Sequence, residues 1–191
     1  MKHLTTEELE AGLETIRQSP KDNGVLQLIV RRSRVGEREI LDVAELDLVN
    51  GLVGDNWKTR GSPLTADGES DPERQLTIMN ARAIALVAQC DERWPLAGDQ
   101  LYIDLELSAD NLPPGTRLAI GSAVVELTAE PHTGCKKFVA RFGLEAMQFV
   151  NSPVGRQLNL RGINTKVVQP GVIRVGDVAR KIITTGQRHS D

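Results

Sequence analysis

The sequence predicts an α+β domain built round a mostly antiparallel, barrel-like sheet with a few peripheral helices. Three observations carry that expectation. Strand-like segments outnumber helical ones, and the longer helical stretches fall between strands. Two segments repeat one design: Pro114-Gly115 to Ile120-Gly121 and Pro170-Gly171 to Gly176-Asp177 each give a Pro-Gly turn, a brief strand and a glycine before another strand. Such spacing suits tight corners in a small barrel. Finally, there is no regular βαβ alternation and no Gly-x-Gly-x-x-Gly behind a strand, which disfavours a Rossmann domain.

Taken in order, Thr5-Thr6-Glu7-Glu8 has the form of a capping box, and Leu9, Leu13 and Ile16 recur at helical spacing until Ser19-Pro20. This first helix and a linker occupy residues 1–23. Gly24 opens a buried strand over Val25–Val30, and β character returns from Glu39 to Leu48. The Asn50–Lys58 stretch, with Gly51 and Gly54, reads as a shaped loop rather than a strand. Residues 61–74 form an exposed excursion. Gln75–Met79 is a strand, Asn80 caps an alanine-rich helix running to about Cys90, and Trp94-Pro95 ends that unit. Leu101 to Leu107 alternate apolar residues with Tyr102, Asp104 and Glu106, the pattern of a half-buried strand. Strands are expected over 123–128 and 178–183, a helical insert over roughly 136–160 broken at Gly143 and Ser152-Pro153, and a disordered tail over 184–191.

Composition narrows the function. The 191 residues carry a formal charge of −3 with 3% aromatic content. Neither a phosphate-backbone attraction nor a base-stacking platform is expected, so nucleic acid is excluded as a partner. Arg31-Arg32-Ser33-Arg34 is followed closely by Glu37 and Glu39 and reads as a solvated strand end. No apolar run approaches a membrane span, and two cysteines make no disulfide framework, so a reducing, cytoplasmic setting is expected.

The chemistry concentrates in Pro131-His132-Thr133-Gly134-Cys135-Lys136-Lys137-Phe138. A thiol acts as ligand or nucleophile only as thiolate, which cations and helix N-termini favour. Lys136 and Lys137 follow Cys135, and Phe138 and Phe142 mark a helix behind it. A small packing residue at a loop–helix junction is the alternative, and composition alone leaves both open. Cys90, near a helix end among alanines, reads as packing. Arg161, Asn164 and Lys166 lie near a turn and could donate to an anion. His3 and His189 fall in the expected tails. His132 with Cys135 gives two metal ligands where zinc usually takes three or four, so structural zinc is disfavoured.

Several motifs then fall in a characteristic order: Gly51-Leu52-Val53-Gly54-Asp55-Asn56-Trp57, Gln75-Leu76-Thr77, Gly98-Asp99-Gln100-Leu101, Pro113-Pro114-Gly115 through Ile120-Gly121, the cysteine of Pro131–Cys135, and Pro170–Asp177. That order resembles the MOSC domain, named for the C-terminal domain of molybdenum cofactor sulfurases, over residues 24–183. The chain differs from many members in having Gly134 rather than proline before Cys135, and Gly98-Asp99-Gln100 where Gly-Glu-Asn or Gly-Arg-Asn is common. Both differences point to a distinct subfamily.

The resemblance implies a β-rich fold handling the molybdenum–pterin cofactor or its sulfur. By that likeness Cys135 would be the metal ligand, thiolate being a soft donor suited to molybdenum held otherwise by dithiolene sulfur and oxo groups. Lys136, Lys137, Arg141, Arg161, Asn164 and Lys58 are the candidate donors to the cofactor phosphate. Asp55 is grouped with them, though it is equally placed to brace the glycine loop by an Asx contact. His132 would tune or protonate a substrate, or simply hydrogen-bond the loop. Three functions follow: a molybdenum-dependent oxidoreductase, as for standalone bacterial members resembling reductases of N-hydroxylated compounds; a sulfur or cofactor carrier using a Cys135 persulfide; or a cysteine-nucleophile enzyme with His132 as base. An electron-donor or desulfurase protein is the expected partner, and any pyridoxal phosphate would come through such a partner.

Overall fold

The apolar run after Gly24 becomes the first staple of a closed barrel. The protein is described by a computed structural model over residues 2–182; Ile183, the 184–191 segment and His189 lie outside the described residues. In chain order the strands are β1 (Gly24–Arg31), β2 (Glu39–Leu41), β3 (Val43–Asp47), β4 (Gly51–Leu52), β5 (Leu76–Asn80), β6 (Leu101–Asp104), β7 (Arg117–Ile120), β8 (Ala123–Leu127), β9 (Ile163–Gln169), β10 (Gly171–Arg174) and β11 (Val178–Ile182). Seven of them run β11-β7-β8-β9-β5-β6-β1, and β1 returns to β11 through Gly24↔Ala179 and Val25↔Val178. That last pairing closes the barrel. Every pair in it is antiparallel except β5–β6. β2 extends the far end of β1, and β10-β3-β4 form a separate small sheet.

The helices are α1 (Thr6–Ala11), α2 (Leu13–Arg17), α3 (Trp57–Arg60), α4 (Ala81–Ala88), α5 (Lys136–Phe142), α6 (Leu144–Asn151) and α7 (Pro153–Gln157). The Thr5–Glu8 capping box is complete, and Gly12 divides the first helix in two. Breaks at Gly143 and Ser152 divide the later insert into α5, α6 and α7.

Two apolar cores result. Leu26, Ile29, Ile78, Leu101, Ile103 and Val125 belong to the one built by the barrel strands. Leu9, Val30, Met79, Ile84, Tyr102, Phe138, Phe142 and Phe149 form the other, between the barrel wall and the helices. A register shift between Leu26 and Leu28 lets Leu26 and Ile29, three apart, join the same core. Each buried Leu or Phe contributes about 1.5–3 kcal/mol.

Three expectations change. Tyr102 is fully buried rather than outward, because helices cover that face, and its hydroxyl donates to the Trp94 carbonyl at 2.8 Å. Gly51-Leu52 pairs with β3 as a short strand, with Gly51 at φ +69°. Cys90 lies past the end of α4, half-buried, and is outside both cores.

Candidate functional site

A cavity of about 440 Å³ opens among the residues that flank the strands: Arg32 just past β1, Thr77 in β5, Gly98 before β6, His132 after β8 and Asn164 in β9. The 61–74 excursion supplies a wall through Gly61–Leu64, Asp71 and Arg74, and α5 supplies Lys137, Phe138 and Arg141. Seven cationic side chains line it (Arg32, Arg38, Arg60, Arg74, Arg141, Arg161 and Lys137) against one acid, Asp71. Cys135, at the N-cap of α5 and exposed, is on the same lining.

Two carboxylates hold the floor from beneath, neither with any exposed side-chain surface. Asp55 accepts from the Arg32 backbone N–H and Nε, both at 2.9 Å, from Arg32 Nη2 at 2.7 Å, and from the Trp57 N–H at 2.9 Å. The Asx contact expected for Asp55 is thus present, and beside it stands a bidentate pair that fixes a buried guanidinium. Arg32 also donates to the Gly98 carbonyl at 3.1 Å. The solvated reading of Arg31–Arg34 is corrected at this residue: Arg32 is buried because Asp55, far along the chain, supplies its counter-charge.

Asp99 is the second. Its Oδ2 accepts from Arg161 Nη1 at 2.6 Å, and its Oδ1 lies 3.0 Å from His132 Nε2. Burial opposes its ionisation, but Arg161 and His132 outweigh that and hold the carboxyl well below the usual carboxylate range. An ionised Asp99 can only accept, so the shared proton is assigned to His132 Nε2 and Nδ1 is left as the unprotonated nitrogen. Burial, then the Arg161 charge, push the His132 pKa down against the pull of Asp99. The imidazole is neutral at pH 7. Arg161 donates in addition to the Ala97 carbonyl at 2.9 Å and lies over the Phe138 ring at 5.1 Å, while its buried Nε has no partner.

The cations crowd one another. Burial lowers the Arg38 pKa, and Arg141 and Arg32 add to it; burial and then Arg32 do the same to Arg60. Arg38 donates to the Pro95 and Glu37 carbonyls, Arg141 to the Leu96 carbonyl, and Arg74 to Asp71 and Glu130. Among the described residues nothing pairs the Arg60 guanidinium or the Lys137 ammonium. The electrostatics call for an anionic guest.

Of the residues singled out from sequence, the structure brings together Cys135, His132, Lys137, Arg141, Arg161 and Asn164 on this cavity. Asn164 is buried and ties the loop by donating to the Glu130 carbonyl at 3.0 Å. Lys136 and Lys58 are exposed and off the lining, and Asp55 acts from below it. Sequence reasoning missed Arg32, Arg38, Arg60, Arg74 and Asp99. Some signal existed: Asp99 and Arg32 both lay in stretches noted for other reasons, Arg60 precedes the excursion and Arg74 is its last residue.

The MOSC domain profile matches residues 66–180, more than half of the chain and including the Cys135 segment. The chain belongs to the MOSC domain family. No curated protein is matched by sequence. Among solved structures, a hypothetical protein superposes with a TM-score of 0.58 at 17% identity, over 89% of this chain and 72% of that one. The YuaD protein from Bacillus subtilis gives 0.57 at 16% identity, over 82% and 94%. YiiM from Escherichia coli gives 0.54 at 18% identity, over 84% and 70%. At these identities the likeness to this MOSC protein is one of fold. Among the described residues no helix is long and apolar enough to cross a membrane.

Proposed function

We propose that this MOSC protein binds the molybdenum–pterin cofactor in the cationic cavity, with Cys135 as the protein ligand to the metal. The observation that carries the proposal is the single exposed thiol on a lining of seven cations and one acid. The residues fit such a group. The cavity volume of about 440 Å³ falls within the range of small-molecule sites. The guanidinia suit a phosphate, and the unpartnered Arg161 Nε is a buried donor in want of an acceptor. Among the described residues no group of three or more His, Cys, Asp or Glu could hold a metal by itself. A metal at Cys135 would therefore need ligands from a bound molecule, as a dithiolene pterin provides.

When bound, the group would supply two-electron redox chemistry, with N-hydroxylated compounds as the proposed substrates. The chain's own part is narrower. Arg141, Lys137 and Arg60 draw in and orient the anion; Phe138 packs beneath Arg161; Asp99 fixes His132, whose Nδ1 accepts or returns a proton at the cavity wall. The Asp99–His132 pair also supplies the orienting group that a cysteine-nucleophile enzyme would need, and so keeps that second reading in contention.

The test is expression in a host that makes the cofactor, followed by assay of molybdenum and pterin. Near-stoichiometric metal and pterin are expected, with metal lost in Cys135→Ala and the fold retained, since an exposed substitution changes stability within about 0.5 kcal/mol. Full metal content in Cys135→Ala would remove the cysteine as ligand. A metal-free protein whose thiol is alkylated faster than His132→Gln allows would favour the nucleophile.

A further inference from the structure

The small sheet β10-β3-β4 turns one face to the barrel and the other to solvent, and strand alternation sets the sides. Ala44, Leu46, Leu52 and Ile173 point inward and belong to the barrel core. Val43 and Glu45 on β3, with Val172 and Arg174 on β10, therefore point outward, Arg174 opposite Val43 and Val172 opposite Glu45. No helix covers them, since the helix-side core takes none of its residues from this sheet. Val43 is 47% exposed, and Ile40, Leu48, Val49 and Val175 are exposed around it. Five of the eleven exposed large apolar side chains among the described residues thus belong to this sheet and its borders. None of the four outward residues lines the cationic cavity.

Bare sheet surface elsewhere on the molecule is built differently. On the outside of β7, β8 and β9 the register sets Arg117 opposite Glu126 and Glu126 opposite Lys166. Those charges satisfy one another. Arg117 donates to Glu126 at 2.9 Å, and Lys166 lies 3.7 Å from Glu126 and donates to Glu73 at 2.7 Å. On the small sheet Glu45 and Arg174 are diagonal neighbours, within reach of each other for a side chain as long as arginine. Among the described residues neither side chain has a partner. We infer that this face docks a second copy of the chain across a two-fold axis, Glu45 of each copy pairing with Arg174 of the other. Charge chooses the occupant. A two-fold axis presents a patch to itself, so an unpaired acid and an unpaired base set over valines are complementary to their own copy. A uniformly acidic or uniformly basic partner would repel one of the two. The strands number three and none exceeds five residues, so the face falls short of the roughly 800 Å² per partner of a standard interface. The dimer is therefore weak and follows protein concentration.

Sedimentation velocity of the purified chain, from about 1 to about 200 μM, reads the outcome. The dimer fraction is expected to rise across that range. Glu45→Arg and Arg174→Glu, both at exposed positions, should each lower the association constant at least about tenfold. The double variant, in which the two charges are exchanged, should restore it. A protein that stays monomeric throughout overturns the inference and leaves the face to a different partner. Dimers indifferent to the single reversals, or not restored in the double variant, overturn it as well and place the contact elsewhere on the molecule.

Discussion

Asp99 answers two partners at once from a position with no exposed side-chain surface, and its removal should be felt at both. In Asp99→Asn the Arg161 guanidinium stays buried with its counter-charge gone, a loss on the order of 3–5 kcal/mol in urea unfolding. The same substitution removes the one nearby charge that favours imidazolium, so the His132 ring should titrate at still lower pH than in the parent protein, read by NMR. The sign for stability follows. His132 has a folded pKa below its unfolded one, so the unfolded state takes up the proton first as pH falls. Its stabilisation is complete above the ordinary imidazole value and is lost as pH drops through that value toward the depressed one. His132→Gln should flatten the urea midpoint between pH 7 and 5; a midpoint as steep as before would sink the assignment. Cys135 and His132 were legible as residue types in a suggestive stretch. Asp99 was not, because its partners stand 33 and 62 positions away and nothing local marks the encounter.

At the scale of elements, the legible features are those governed by short-range chemistry. The capping box at Thr5, the breaks at Gly143 and Ser152-Pro153, and the cap at Asn80 each depend on neighbours within a few residues. Asn80 does more than its sequence role required. Its Oδ1 accepts from the Ala83 N–H at 2.9 Å, while its Nδ2 donates to Ser19 at 2.8 Å and to the Leu105 carbonyl at 2.7 Å. Asn80→Ala should therefore cost more than a cap alone, about 2–3 kcal/mol by thermal or chemical unfolding, because the Leu105 carbonyl is left buried and unsatisfied. A loss under about 0.5 kcal/mol would show that solvent replaces these bonds. The misread elements have the opposite character. Arg32, just past the end of β1, and Tyr102, in β6, are both buried by segments distant in sequence, and a strand's own alternation records nothing of what will be laid over it.

For the whole molecule, strand-rich content and glycine corners made a barrel the natural expectation, while the order of strands depended on pairings too distant to read. The repeated Pro-Gly design ended in two outcomes: β7 and β8 form a hairpin, whereas β10 joins the small sheet and β11 alone returns to the barrel. Truncation after Gly176 deletes β11 and should abolish cooperative urea unfolding, since β1 and β7 would each lose a partner. A truncated chain that still unfolds in one sharp transition would show closure to be dispensable. The meeting of β1 with β11 also has a consequence in time. On a translating ribosome β1 emerges early and its closing partner last of all the barrel strands; β9, which joins β7-β8 to β5-β6-β1, comes late as well, so the nascent domain exists for most of its synthesis as two partial sheets with unprotected edges. Every residue of the cationic cavity has by then left the tunnel, from Arg32 to Asn164. The interval before β11 appears is thus a window in which chaperone capture competes with aggregation, and in which a guest already seated in the cavity could hold the unfinished barrel together.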